Sequence, residues 1–116
     1  FDRITVKILA ECGFEIISDG LFFYPRKRFN LIWVPQQMWR FRKMPFGLYT
    51  IALHPNHWSE KNLENFERNL RLFVDDIVSL SEGLYIYPPK DFDFFDEIAE
   101  YILNFIYRSK MKLKKF

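Results

Sequence analysis

His54, Asp19, Gln36, Gln37, Trp39 and Arg40 are the residues of this 116-residue chain whose types suit chemistry on a polar ligand. An imidazole titrates near neutrality, so His54 can act as a general acid or base, most effectively where a carboxylate such as Asp19 holds the ring. The plain alternatives are a hydrogen-bonded histidine at a strand end and, for Asp19 before Gly20, a turn residue. His54 and His57 form an H-x-x-H pair, but Pro55 lies between them and no third ligand is near, which argues against a metal site built within this chain. No Gly-rich phosphate loop, Cys-rich zinc pattern, G-x-S-x-G elbow or H-E-x-x-H is present.

Charge is distributed in blocks. Residues 21–58 carry Arg26, Lys27, Arg28, Arg40, Arg42 and Lys43 with no acid, residues 59–107 are strongly acidic, and 108–116 are basic again, so a formal net charge of +2 hides a polarised molecule. The cationic middle favours an anionic ligand. Its runs Arg26-Lys27-Arg28-Phe29 and Trp39-Arg40-Phe41-Arg42-Lys43 interleave basic and aromatic residues, the composition that grips phosphates and stacks bases or sugar rings. A carbohydrate or phosphate cleft ranks ahead of nucleic acid here. The plain alternative is a core built on Trp33 and Phe29 with a solvated arginine rim.

These side chains meet only if the elements place them together. Phe1, Ile4, Ile8, Leu9 and Cys12 recur at helical spacing, and Gly13 stands where a helix C-cap needs positive φ. Short apolar runs predict strands at 14–18, at 31–34 stopped by Pro35, and at 49–53 stopped by Pro55. A helix from about Glu60 to Leu80 is capped by Ser59 and ended by Gly83, and residues 83–89 read as a strand. The last helix, capped by Asp91, is expected to bury Phe92, Phe95, Ile98, Ala99, Ile102 and Ile106. The resulting order is α-β-β-β-α-β-α, an α/β fold, with 24–28 and 40–46 as surface loops. Apolar rather than alternating strands predict a parallel sheet covered on both faces. In such a sheet functional groups gather at the C-terminal strand ends, which would turn Asp19, Gln36, Gln37 and His54 toward one cavity.

Composition bounds the answer. With 49% hydrophobic and 28% charged residues the chain reads as one globular domain over 1–107 with a basic tail over 108–116, and disorder is excluded as its general state. No stretch of about 18 uncharged apolar residues is present to span a membrane. The single Cys12 allows no internal disulfide and agrees with a reducing, cytoplasmic location. A chain that opens inside a helical pattern, on Phe1, reads as the C-terminal portion of something longer, and an incomplete sheet edge would favour a homo-oligomer or an absent N-terminal half as partner.

The run Leu9-Ala10-Glu11-Cys12-Gly13-Phe14-Glu15-Ile16-Ile17-Ser18-Asp19-Gly20, then Pro35-Gln36-Gln37-Met38-Trp39, then Gly47-Leu48-Tyr49-Thr50-Ile51-Ala52-Leu53-His54-Pro55-Asn56, resembles the C-terminal half of polysaccharide deacetylase-like proteins of surface-polysaccharide synthesis, lipopolysaccharide included. The resemblance implies a distorted (β/α) barrel and hydrolysis of N- or O-acetyl groups on a bacterial surface polysaccharide or its precursor. Leu53-His54 matches the family's late leucine-and-histidine motif, which makes His54 the acid that protonates the departing amine or alcohol, with Asp19 beside it. Gln36, Gln37, Trp39, Asn56 and Arg40 would then hold the sugar. The family also implies a divalent metal, zinc first, but its base and Asp-His-His ligands have no match here: Asp75-Asp76 falls inside a helix and no His-x-x-x-His is present. The resemblance therefore gives this chain the second half of a site, with metal ligands outside it. The competing reading is a non-catalytic module that binds an anionic glycan or nucleic acid through residues 26–43.

Overall fold

A computed structural model describes residues 1–114, with side chains through Lys110. It is a mixed α/β chain of four helices and two small sheets. Helix α1, Arg3–Glu11, begins where Asp2 accepts from the Thr5 amide at 2.7 Å. It ends at Gly13 with φ +89, where the Gly13 amide donates to Ala10 and the Phe14 amide to Leu9, the paired bonds of a left-handed helix stop. Strands β1 (Ile16–Ser18), β2 (Arg26–Arg28), β3 (Leu31–Val34), β4 (Gln36–Met38) and β5 (Thr50–Ile51) follow, then α2 (Glu60–Leu72), α3 (Leu80–Ile86), β6 (Lys90–Asp91) and α4 (Phe94–Lys114).

One sheet has the order β1-β3-β2-β6 and the other pairs β4 with β5. β1 runs parallel to β3 with Ile17 opposite Trp33, and β4 runs parallel to β5. Pro35 alone separates β3 from β4, so residues 31–38 form one interrupted strand. At the interruption the Gln36 amide donates to Gly20 on one side, while the Thr50 amide donates to the Pro35 carbonyl on the other. A proline offers no N–H, and it stands where the strand changes neighbours. The Ser18 and Thr50 hydroxyls hydrogen-bond over this strand. In a flat sheet second-neighbour strands lie about 9–10 Å apart, too far for two short side chains to meet, so the sheet curls here.

The expected all-parallel sheet is thus corrected to a mixed one. Residues 26–28, read as loop, form β2, antiparallel to β3 and parallel to β6. The β2–β3 turn holds Phe29 at φ 54 and Asn30 at φ 61, the two positive values a tight hairpin needs, and a phenylalanine there hid it. The expected helix to Leu80 stops at Leu72, because Val74-Asp75-Asp76 are poor helix formers and fall into a 3-10 turn, and Ser79 caps a new helix by accepting from the Glu82 amide at 3.1 Å. Residues 83–86 are therefore helical rather than extended. Gly83 is buried inside α3, where an added Cβ would meet the Leu48 side chain at 2.9 Å.

Helix α4 departs furthest from expectation. Its cap is Asp93, not Asp91: Asp93 accepts from the Asp96 amide at 2.9 Å and Asp96 accepts from the Asp93 amide at 3.1 Å. The bond from the Asp96 amide, foremost, holds the Asp93 carboxyl below the usual carboxylate range. The face expected to be buried is turned outward, with Phe95, Ile98, Ile102 and Ile106 exposed. What docks on the sheet is the acidic pair Asp96 and Glu100, because β2 presents arginines to it, and Asn104 continues the same line beyond the sheet. Arg26 Nε donates to buried Asp96 at 2.6 Å, and Arg28 donates to both carboxylate oxygens of Glu100 at 3.4 Å.

The core is Val6, Ile17, Phe22, Leu31 and Trp33, with Leu9, Ala10 and Phe92 packed against it. A second aromatic cluster, Phe41, Phe66, Phe73 and Trp58, holds α2 against the chain after β4. α4 runs on through Lys114, so the expected basic tail is helical backbone over 108–114; Lys115 and Phe116 lie outside the described residues, as do the side chains from Met111 on. Among the described residues no helix is long and apolar enough to cross a membrane.

Candidate functional site

The C-terminal ends of β1 and β4 place the first site residues. After β1 the Asp19 amide donates to the Val34 carbonyl, and Gly20, at φ +109, reverses the chain so tightly that an added Cβ would strike the Phe22 ring at 2.0 Å. Only glycine allows this return, which fixes Asp19 at the strand end with Phe22 fully buried beneath. Asp19 Oδ2 accepts from the Phe1 amino group at 2.5 Å. On β4, Gln36 Nε2 donates to the Met38 carbonyl and Gln37 Nε2 to the Phe22 carbonyl, so both amides are oriented by backbone. Trp39 follows at once, 47% exposed, its ring stacked on Tyr107 of α4 with centroids 5.4 Å apart and planes 19° apart.

Two clefts flank this stacked pair. One, of about 360 Å³, is lined by Asp19, Gln36, Glu100 and Asn104 along with the two rings. The other, of about 450 Å³, is lined by Gln37, Arg40, Arg42 and Lys110 along with the same rings. The first offers carboxylates and amides, the partners sugar hydroxyls use, with Arg28 and Trp33 also on its wall; the second offers cations beside the apolar side chains Leu21, Met38, Leu103 and Ile106. The two rings stack on each other, so each has one face covered by its partner and one outer face left for a ligand.

His54 and Asn56 lie elsewhere. Both are exposed, His54 preceding and Asn56 within a 3-10 turn, Pro55–His57, and neither lines the two clefts. Among the described residues no hydrogen bond joins His54 to Asp19. Of the four side chains expected in one cavity, Asp19 and Gln36 share the first cleft, Gln37 lines the second and His54 stands apart, because β5 ends at Ile51 and two further residues carry the chain away.

The arginines of the cationic segment divide. Arg26 and Arg28 are engaged inside the fold; Arg28 also lies over the Trp33 ring at 4.4 Å and the Phe92 ring at 4.1 Å, and the Trp33 indole donates to the Arg28 carbonyl at 2.9 Å. Arg40 and Arg42 are exposed and, among the described residues, in no ion pair. Sequence reasoning missed Glu100, Asn104, Tyr107 and Lys110. The signal that could have found two of them, Glu100 and Asn104, is the polar line Asp96, Glu100, Asn104 at steps of four, opposite a strand of arginines.

Among the described residues no group of three or more His, Cys, Asp or Glu side chains is placed to hold a metal. The residues present do not fit the divalent metal that the resemblance implies. The chain matches no family model, no curated protein and no solved structure.

Proposed function

We propose that this chain is the substrate-binding half of a metal-dependent, deacetylase-like carbohydrate hydrolase, acting on N- or O-acetyl groups of a bacterial surface polysaccharide or its precursor. The observation that carries the reading is that the ends of β1 and β4 bring Asp19, Gln36 and Trp39 to one cleft. In this reading the chain is the C-terminal part of a distorted (β/α) barrel of the polysaccharide deacetylase type. Trp39, backed by Tyr107, stacks a sugar ring, Gln36 and Gln37 take its hydroxyls, and Arg40 and Asn56 grip the polymer further out. His54 donates the proton that lets the amine or alcohol leave, and its exposure leaves it open to a bound chain. The divalent metal, zinc first, belongs with ligands outside this chain. A partner half, or a second copy of the chain, covers the exposed apolar face of α4, and the lone exposed Cys12 fits a reducing cytoplasm.

The test is acetate release from an N-acetylated oligosaccharide by the polypeptide as it is made in its cell. The reading expects chelator-sensitive turnover that His54→Ala lowers at least a hundredfold while oligosaccharide affinity stays within about threefold. Turnover within a factor of two of the parent in that variant would contradict it. The separation of His54 from the clefts supports a second reading, a non-catalytic binder of an anionic glycan. It expects binding that chelators leave unchanged and salt weakens, with nucleic acid ranking behind glycan because Arg26 and Arg28 are already occupied.

A further inference from the structure

Arg40, Arg42 and Lys110 converge on one cleft from two elements distant in sequence, the chain after β4 and the late turns of α4. Among the described residues no acidic side chain lines that cleft and none of the three cations is in an ion pair. The acids of α4 lie in its first two turns, where Asp96 and Glu100 pair with Arg26 and Arg28, and its later turns past Glu100 bring no acid to this cleft. The result is a local excess of positive charge beside an exposed aromatic pair, separated by those rings from the carboxylate and amide groups of the neighbouring cleft.

We infer that the two clefts form one bipartite site for a phosphorylated sugar, the ring lying on the outer face of Trp39, which Tyr107 backs, its hydroxyls toward Asp19, Gln36 and Asn104, and its phosphate toward Arg40, Arg42 and Lys110. Guanidinium groups present paired N–H donors that match phosphate oxygens, and a lysine adds a point charge, so this set recognises a compact dianion better than a neutral hydroxyl. The two clefts adjoin the same Trp39 and Tyr107 rings, so a sugar and a phosphate joined in one molecule can reach both at once. Linking the two groups makes the second contact intramolecular, so the conjugate gains over either part alone. The inference rests on reading the Trp39 cleft as the sugar site, and it adds the ligand's charge, which the hydrolase reading leaves open.

The experiment is calorimetric titration of the full chain with N-acetylglucosamine 1-phosphate, N-acetylglucosamine and inorganic phosphate in parallel. The conjugate is expected to bind at least tenfold more tightly than either part. Raising the salt from 50 to 200 mM is expected to weaken the conjugate severalfold and leave the neutral sugar unchanged. The Arg42→Gln, Lys110→Gln double variant, and separately Lys110→Gln on an exposed helix position, should weaken the conjugate, by tenfold or more for the pair, and leave the neutral sugar alone; Trp39→Ala should weaken both. Near-ultraviolet circular dichroism confirms that each variant is folded, and the Lys110 change keeps the test alive if the double variant is not. Conjugate binding no tighter than the neutral sugar, or binding that both cation changes leave intact, overturns the inference. Loss of acetate release with conjugate binding retained would defeat the hydrolase reading and leave this one standing.

Discussion

Arg26 and Arg28 belong to the same basic, aromatic-rich stretch as Arg40 and Arg42, yet the fold uses the two pairs in opposite ways. The first pair faces α4. Its side chains are 14% and 19% exposed, one bonded to Asp96 and the other held between Trp33 and Phe92 with Glu100 at its fork. The second pair follows β4, past the last strand that α4 covers, and faces a cleft without acids. A run of charge in a sequence is therefore not a binding site by itself. What decides is whether the fold brings acids to it, and here α4 supplies acids to one half only.

The sharpest way to break this comparison is to remove an acid from the first half. Asp96→Ala leaves Arg26 buried without its partner and strips the reciprocal bond at the start of α4, so a loss of about 3–5 kcal/mol in urea unfolding is expected, against about 0.5 kcal/mol or less for Arg42→Ala. Equal losses would erase the distinction. Next comes Arg28→Lys, which keeps the charge but gives up the planar contact with two rings and the forked bond to Glu100; about 1–2 kcal/mol is expected. A neutral outcome there would mean that charge alone docks α4.

The two faces of α4 sharpen the same point. Ile102→Ser, on the outward face where Ile102 is 50% exposed, is expected to cost about 0.5 kcal/mol or less, although the sequence pattern places Ile102 in the core. A loss of several kcal/mol would show that this face is covered in the folded chain.

The smallest effect concerns Tyr49, whose hydroxyl is buried without a hydrogen-bond partner and whose pKa burial pushes up from 10.0 to about 12, with Tyr24 and Tyr87 adding to it. A raised pKa means the fold favours the neutral phenol. The stability this contributes is whole below about pH 10 and is lost as pH rises toward about 12. Absorbance titration of Tyr49→Phe against the parent should remove one late-ionising tyrosine; removal of one that titrates near 10 would contradict it.

How much of this was legible follows from where the deciding forces lie. α1 and its Gly13 stop, β1 and β3 were readable as elements because short apolar runs and a single glycine settle them locally, but the inward face of α1 was not: Phe1, Ile4, Ile8 and Cys12 of the expected stripe are exposed and Val6 takes the core position. β2 was not, since an Arg-Lys-Arg strand and a phenylalanine at positive φ both go against local preference and are held by neighbours. β4 was hidden by Pro35, which normally ends a strand and here only shifts its pairing. The face of α4 was inverted because apolar periodicity ordinarily marks the buried side, whereas here the pairing of Arg26 with Asp96 and of Arg28 with Glu100 turns it outward. The same pairing explains the site. Asp19, Gln36 and Trp39 could be named from strand ends, while Tyr107 and Lys110 enter through a helix whose orientation no local signal reveals.

The most direct test of the Trp39–Tyr107 cleft as the binding site uses the three tryptophans as reporters in one spectrum. Indole N–H resonances of Trp33, Trp39 and Trp58 are followed by nuclear magnetic resonance as N-acetylglucosamine 1-phosphate is added to the full chain. Trp58 is packed on Phe66 next to the His57 turn and lines neither cleft, so it should stay in place while Trp39 shifts with saturation; Trp33, buried and bonded to the Arg28 carbonyl on the wall of the first cleft, should move less than Trp39. A shift at Trp58 with Trp39 unmoved would relocate binding to the His54 turn and contradict the account.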